Sequence, residues 1–171
     1  MRSDRILLVL ALAANGMIIG ATLDQAMKQL PARHDIGVEA YSAYSRAADL
    51  SQGVAWYAIL GVGTALLTLI TVVTAIRATR NGRTRTALWI AGAATVGHLA
   101  VTAFAAPLNF SQRDAADATE LAHVFDRFEL LNGVRAGLMA VALAAVATAL
   151  LASLTSHHLD SGQKTDATAV T

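Results

Sequence analysis

Residues 54–76, VAWYAILGVGTALLTLITVVTAI, contain not one charged side chain. A helix needs about 20 mostly apolar residues to cross the hydrocarbon core of a bilayer. In that solvent a backbone must satisfy its own polar groups, which a helix does internally. Three further stretches, at about 5–23, 86–106 and 130–153, have the same length and character. The chain is 55% hydrophobic, against about 45–50% for an average soluble domain, and the excess sits in these four blocks. The expected fold is all-α: an integral membrane four-helix bundle, up-down-up-down, forming a single domain over 1–155. The tail over 156–171 is small and polar and is expected to be disordered in the cytoplasm.

The charges orient the bundle. Arg2 and Arg5 precede the first span, and Arg77, Arg80, Arg83 and Arg85 crowd the short link between the second and third, where Asn81-Gly82 is a turn signal. The two long links carry nine acids: Asp24, Asp35, Glu39, Asp49, Asp114, Asp117, Glu120, Asp126 and Glu129. Lys28, Arg33, Arg46, Arg113 and Arg127 stand against them. The positive-inside rule then puts both termini in the cytoplasm of a multi-pass cell-membrane protein and both long links outside. The opening MRSDRILLVLALAANG has the layout of a signal peptide. Its apolar run continues through GMIIGATL, beyond an ordinary h-region, and reads as a span.

Absences narrow the function. Without cysteine the chain has no dithiol relay and no thiolate ligand for a metal or cluster. No basic patch interleaved with aromatics marks a nucleic-acid partner. His157 and His158 sit where the fourth span leaves the membrane, without other ligands nearby in sequence, so no metal is expected. No Asp or Glu lies deep in a span, which disfavours a proton-coupled transporter. No axial pair for haem is evident.

The fourth span carries the polar groups that need explaining. At 100° per residue, Phe125, Phe128, Asn132, Arg135 and Met139 fall within an arc of about 80°. An arginine in hydrocarbon costs about 2.5–3.5 kcal/mol on insertion scales. Snorkelling to the outer headgroups would relieve this, but Asn132 on the same arc argues for a face turned into the bundle. Gly133 and Gly137 lie opposite, and Gly16 and Gly20 repeat the pattern in the first span. Both pairs read as close helix packing within the bundle, with a homo-oligomer as the other use of the motif. On the third span Ala94, His98, Thr102, Ala105 and Asn109 form a stripe, which Asn109 ends just after Pro107. Asn15 is the deep polar group of span one and reads as an interhelical hydrogen bond.

The aromatics gather at the outer end: Tyr41, Tyr44, Trp56, Tyr57, Phe104, Phe110, Phe125 and Phe128, with Trp89 alone at the inner interface. An interfacial belt accounts for Trp56 and Tyr57. A pocket wall accounts better for Phe125 and Phe128, which share the arc of Arg135. Pro31 is expected to interrupt the extension of span one. The stretch from Ile36 to Leu50 reads as an amphipathic helix along the membrane surface, and so does Arg113 to Val124.

At PLNFSQRDAADATELAHVFDRFELLNGVR the chain resembles the anthrone oxygenase family of small four-helix membrane proteins. The shared features are Pro107-Leu108-Asn109 at the end of the third helix and Phe128, Asn132 and Arg135 at the start of the fourth. The resemblance in layout runs over the whole chain, and the motif over about 30 residues. This chain departs from the family pattern at Phe128 and Leu131, where Trp is common, and at Gly133, where His is frequent. The resemblance implies an oxidoreductase that turns a hydrophobic, anthrone-like aromatic into a quinone without metal, flavin or other cofactor. Arg135, Asn132 and Asn109 would then stabilise an enolate or phenolate. His98 or His123 would serve as base in place of the missing His. Phe125, Phe128, Phe104 and Tyr41 would hold the substrate, arriving from the outer leaflet. The second expectation is a non-catalytic lipophile-binding or accessory membrane subunit, whose buried polar groups only fix helix register. The expected partners in either case are the lipid bilayer and a hydrophobic small molecule.

Overall fold

The computed structural model describes the backbone of residues 3–168 and the side chains of residues 4–155. The tail over 156–171, with its expected disorder and with His157 and His158, falls outside the described side chains. The described chain is almost wholly helical: α1 (Ser3–Asp24), α2 (Leu30–Ile36), α3 (Val38–Ala47), α4 (Gly53–Ala78), α5 (Gly82–Ser111) and α6 (Ala118–Thr168). Two π-helical turns, Gln25–Gln29 and Ala48–Gln52, join α1 to α2 and α3 to α4. Four continuous stretches are long and apolar enough to cross a membrane: Asp4–Ile36, Val38–Ala78, Gly82–Ser111 and Ala118–Thr155. This is the make-up of a multi-pass helical membrane protein.

The four long helices form a ring. α1 packs on α4 and α6, and α5 packs on the same two. Small residues and threonines make close approach possible. Asn15 donates to Thr68 Oγ1 at 2.8 Å, the interhelical hydrogen bond expected of it. Thr64 reaches Ala14 O and Thr71 reaches Leu7 O, both at 3.4 Å. Arg5 donates to Ser153 O at 3.1 Å and ties the start of α1 to the far part of α6. Leu8, Ala11, Val72, Leu88, Val146 and Ala149 fill the core at that end. At the other end Leu30, Tyr41, Ala105, Leu121, Phe125 and Phe128 form a second cluster, with α3 over it. Ile18, Ile19 and Met139 lie between.

The π turns depart from simple periodicity. Leu30 N–H bonds five residues back, to Gln25 O. Pro31 follows in the first turn of α2, where its missing N–H is least costly. So Pro31 does not interrupt the extension of α1. The inserted residue absorbs it, and both Gln25 and Leu30 stay buried. The break comes later, at Gly37, whose φ of 88° is the only positive value among the described residues. A residue with a β-carbon resists that conformation, and the chain turns there from α2 into α3. The amphipathic stretch over 36–50 is therefore α3 and the second π turn.

In that second turn Ser51 leaves helical geometry, with φ −107° and ψ −108°. Neighbouring Asp49 and Leu50 both point inward, at 8% and 6% exposure. A regular helix would separate them by 100°. Gly53 closes the turn, and a β-carbon on it would stand 2.4 Å from Ala48 O.

Three further expectations are corrected. Residues 118–124 do not form a surface helix apart from the fourth span: they are the first turns of α6, capped by Asp117 Oδ1, which accepts from Thr119 N and Glu120 N, each at 2.9 Å. α5 does not end at Asn109 but runs on to Ser111. The glycine pairs Gly16/Gly20 and Gly133/Gly137 do not pack inside the bundle. All four are exposed, with open space where a β-carbon would be. The polar and large side chains of both helices take the inward face, which leaves the glycines outside.

Arg33 locks the α1 extension to α6. It is 3% exposed and donates to Asp126 at 2.9 Å and Glu129 at 2.7 Å, and to Leu30 O at 2.8 Å.

The clash distance at Gly53 gives a test of the second π turn. Gly53→Ala is expected to lower unfolding stability by about 1–3 kcal/mol, because a backbone carbonyl must move. Gly63→Ala, in open space ten residues on, should leave stability unchanged or raise it, since alanine is the better helix former. Thermal melts in detergent of the two variants check this.

Candidate functional site: a polar-headed cavity

Between the middle and upper core clusters lies a cavity of about 270 Å³. Most of its wall is apolar, as in ligand sites generally. Ile18 and Met139 form its floor, Leu50, Val54, Ala58 and Val62 one side, and Leu99, Ala106 and Phe110 another. The polar groups in the wall are Thr22, Gln25, Asp49, Tyr57, His98, Thr102, Asn109 and Arg135. They come from α1, both π turns, α4, α5 and α6.

Arg135 turns into this cavity and not out to the surface. Its guanidinium donates to Asn132 Oδ1, one turn earlier on α6, and at 3.4 Å to Gln25 Oε1. Its Nε is buried without a partner. Among the described residues no carboxylate pairs with it. Gln25 is 3% exposed and holds the middle of a chain of polar contacts. Its Nε2 donates at 3.4 Å to Asp49 Oδ2, which also accepts from Ser45 Oγ at 3.1 Å. The cation and the carboxylate of one cavity are thus separated by a neutral amide.

The other end of the cavity is closed by a second network. Gln112, 2% exposed, donates to Asn109 Oδ1 at 2.9 Å, Asn109 O at 2.8 Å and Ser45 Oγ at 3.3 Å. It accepts from Ser42 Oγ at 3.1 Å. Arg113 reaches under it to Leu50 O at 2.7 Å. His98, 3% exposed, completes the wall, and its Nδ1 is buried without a partner. So is Asn132 Nδ2. An unsatisfied buried polar group costs about 1–3 kcal/mol, so three of them around one cavity are a feature to be explained.

Of the nine candidate site residues, the structure brings four together: Arg135, His98, Asn109 and Phe128 line the cavity. Asn132 stands behind Arg135, fully buried. Asn109 faces the same space but is bonded to Gln112, not to the guanidinium. The other four expectations are corrected. His123 is exposed on the outer face of α6, away from the cavity, and cannot act as base there. Phe104 is 72% exposed, one position from buried Ala105 on the opposite side of α5, and belongs to the aromatic belt. Phe125 and Tyr41 are buried, but against each other, ring centroids 4.9 Å apart and edge-on. They form the layer behind Phe128 and do not touch the cavity.

Sequence reasoning missed Gln25, Asp49, Thr22 and Tyr57. Tyr57, which an aromatic belt would place at the interface, is half-buried and faces the cavity. Gln25 and Asp49 lie in the two π turns, whose inserted residues break the 3.6-residue phase. A buried acid in a link otherwise rich in exposed acids carries no sequence signal. Among the described residues no group of three His, Asp or Glu is placed to hold a metal ion.

No family model, curated protein or solved structure matches the chain. The site has to be read from its own geometry.

That geometry makes Arg135 costly to the fold, since it loses water and gains only amide partners. Arg135→Met, close in length and apolar, is expected to match or exceed the parent's stability, by about 1 kcal/mol or more. A residue held for packing would show the reverse, a drop of several degrees in the melting temperature of the detergent-solubilised protein.

Proposed function

We propose that this protein is a cell-membrane enzyme whose cavity binds a hydrophobic aromatic with an acidic or enolisable oxygen, and that it oxidises this substrate with molecular oxygen and no cofactor. The observation that carries the reading is the shared cavity of Arg135 and His98. One is a half-buried cation that pairs with no carboxylate among the described residues, the other an imidazole whose buried Nδ1 has no partner. A ligand oxygen at Arg135 supplies the missing charge, and a carbon acid beside His98 meets a base. The resemblance to the anthrone oxygenases at Pro107-Leu108-Asn109 and Phe128, Asn132 and Arg135 points the same way.

The chemistry follows from these groups. Neutral His98 takes a proton from the methylene opposite the ketone of an anthrone-like ring. Arg135, steadied by Asn132, holds the resulting enolate oxygen, where charge develops. The electron-rich carbon adds O2 to give a hydroperoxide. Loss of its remaining C–H proton, with cleavage of the O–O bond, releases water and leaves the second carbonyl. The methylene and one O2 become a carbonyl and one H2O, so no outside reductant is needed. Phe128 and the apolar wall hold the ring.

We place both termini in the cytoplasm, with the bundle running up-down-up-down and the cavity in its outer half. The arginines at 77–85 and the acids of the two long links support this orientation. So do the pairings of Leu7 with Thr71 and Ala14 with Thr64, in which numbering rises along α1 as it falls along α4. A second reading, a binding subunit without catalysis, is favoured by one feature: Asn109, an expected oxyanion donor, is engaged by Gln112 instead.

Oxygen uptake by purified protein with anthrone decides between the two. On the enzyme reading His98→Gln is expected to lose about 10²–10⁴-fold in turnover, and Arg135→Met about 10²–10³-fold, with His123→Gln unchanged. Tight anthrone binding with no uptake above the rate in solution would leave only the binding subunit.

A further inference from the structure

The cavity is closed toward one phase and open toward another. On the side of the long links, Gln112 is hydrogen-bonded to Ser42, Ser45 and Asn109 under α3. That network stands between the cavity and a separate polar pocket lined by Glu39, Arg46 and Arg113. The flank between α4 and α5 is different. Val54, Ala58 and Val62 recur every four residues along one edge of α4, line the cavity, and are still exposed. Val62 is 51% exposed and Val54 38%. Facing them on α5, Phe110 lines the cavity at 37% exposure, and Ala106 is half-buried. The polar side chains nearest these edges are half-buried Thr102, whose hydroxyl donates to His98 O at 2.7 Å, and half-buried Tyr57. Small Ala58 and Ala106 leave the gap unfilled, and both helices are among the four that suit a bilayer.

We infer that this gap is a lateral portal, and that the ligand of the cavity enters from the lipid through it and not from water. The proposal rests on the reading of the cavity as a lipophile site. It adds a condition on substrate class: a molecule that partitions into the bilayer as a flat apolar body and carries its single acidic oxygen inward, to Arg135. A water-soluble anion of the same charge meets the closed Gln112 network and is excluded.

The chain's lack of cysteine allows a reversible test in proteoliposomes. Ala58→Cys, Ile70→Cys and Glu39→Cys are each made singly. Position 58 lies at the portal, 70 on exposed α4 surface away from the cavity, and 39 at the polar pocket. Each is modified with a benzyl methanethiosulfonate. Association of anthracene-9-carboxylate, a fluorescent lipophilic anion, is followed by stopped flow. Modification at 58 is expected to slow association about tenfold, with recovery on adding reductant, while modification at 70 and 39 leaves the rate unchanged. Slowing at 39 and not at 58 would overturn the portal in favour of entry from water. No slowing at either position would also overturn it. The cavity itself is tested separately by Arg135→Met: if that variant binds the probe as tightly as the parent, the cavity is not the site and the portal goes with it.

Discussion

A half-buried guanidinium held by amides is the constraint around which the upper half of this bundle is arranged. In a medium of low dielectric an unpaired charge is the most expensive group a fold can hold. Arg135 is kept in place by Asn132 on its own helix and by Gln25 from the extension of α1. Neither brings a countercharge. The nearest carboxylate in the chain of contacts, Asp49, bonds Gln25 instead. A bundle selected for stability alone would close this gap with a direct ion pair or with methionine and leucine. The separation of cation and carboxylate supports the ligand site we propose, and stability is the usual cost of such a site.

The two π turns make this arrangement possible. Each inserts one residue into a helix and shifts the phase of everything after it. The first carries Gln25 to Arg135 while Leu30 and Arg33 stay turned toward α6, where Arg33 meets Asp126 and Glu129. The second turns Asp49 and Leu50 inward together and ends in the close approach at Gly53. The cavity is thus built where the helices depart from regularity. Below it, Leu8, Ala11, Val72, Leu88, Val146 and Ala149 pack in a regular apolar core, and there the bundle is simply held together.

Closure of the cavity has a polar and an apolar half. Ser42, Ser45, Gln112 and Asn109 form a hydrogen-bonded cover in which Gln112 is satisfied at both its oxygen and its nitrogen. Apolar edges on α4 and α5 bound the opposite opening and need no partner in lipid, because hydrocarbon is as good a neighbour to valine as another valine. The same gap in a water-soluble protein would be an exposed apolar patch. In a membrane it is a doorway.

The sequence by itself determined that four helices would be long and apolar enough to cross a membrane, and which face of the fourth turns inward. Length and hydropathy follow from bilayer thickness, and the 100° step of a helix fixes which of Phe128, Asn132, Arg135 and Met139 share a side. The stripe of α5 was legible for the same reason, down to His98 and Asn109 in one wall. Tertiary structure alone decided what lies across from those faces. Periodicity cannot register a π insertion, so it hides Gln25 and Asp49 as site residues and makes Pro31 look like a break. Nor can it separate two aromatic residues of one end by depth, which is why Phe104 proved to face outward and Phe125 to pack on Tyr41. A helical wheel gives direction, but the identity of the neighbour in that direction depends on where a distant segment of chain returns.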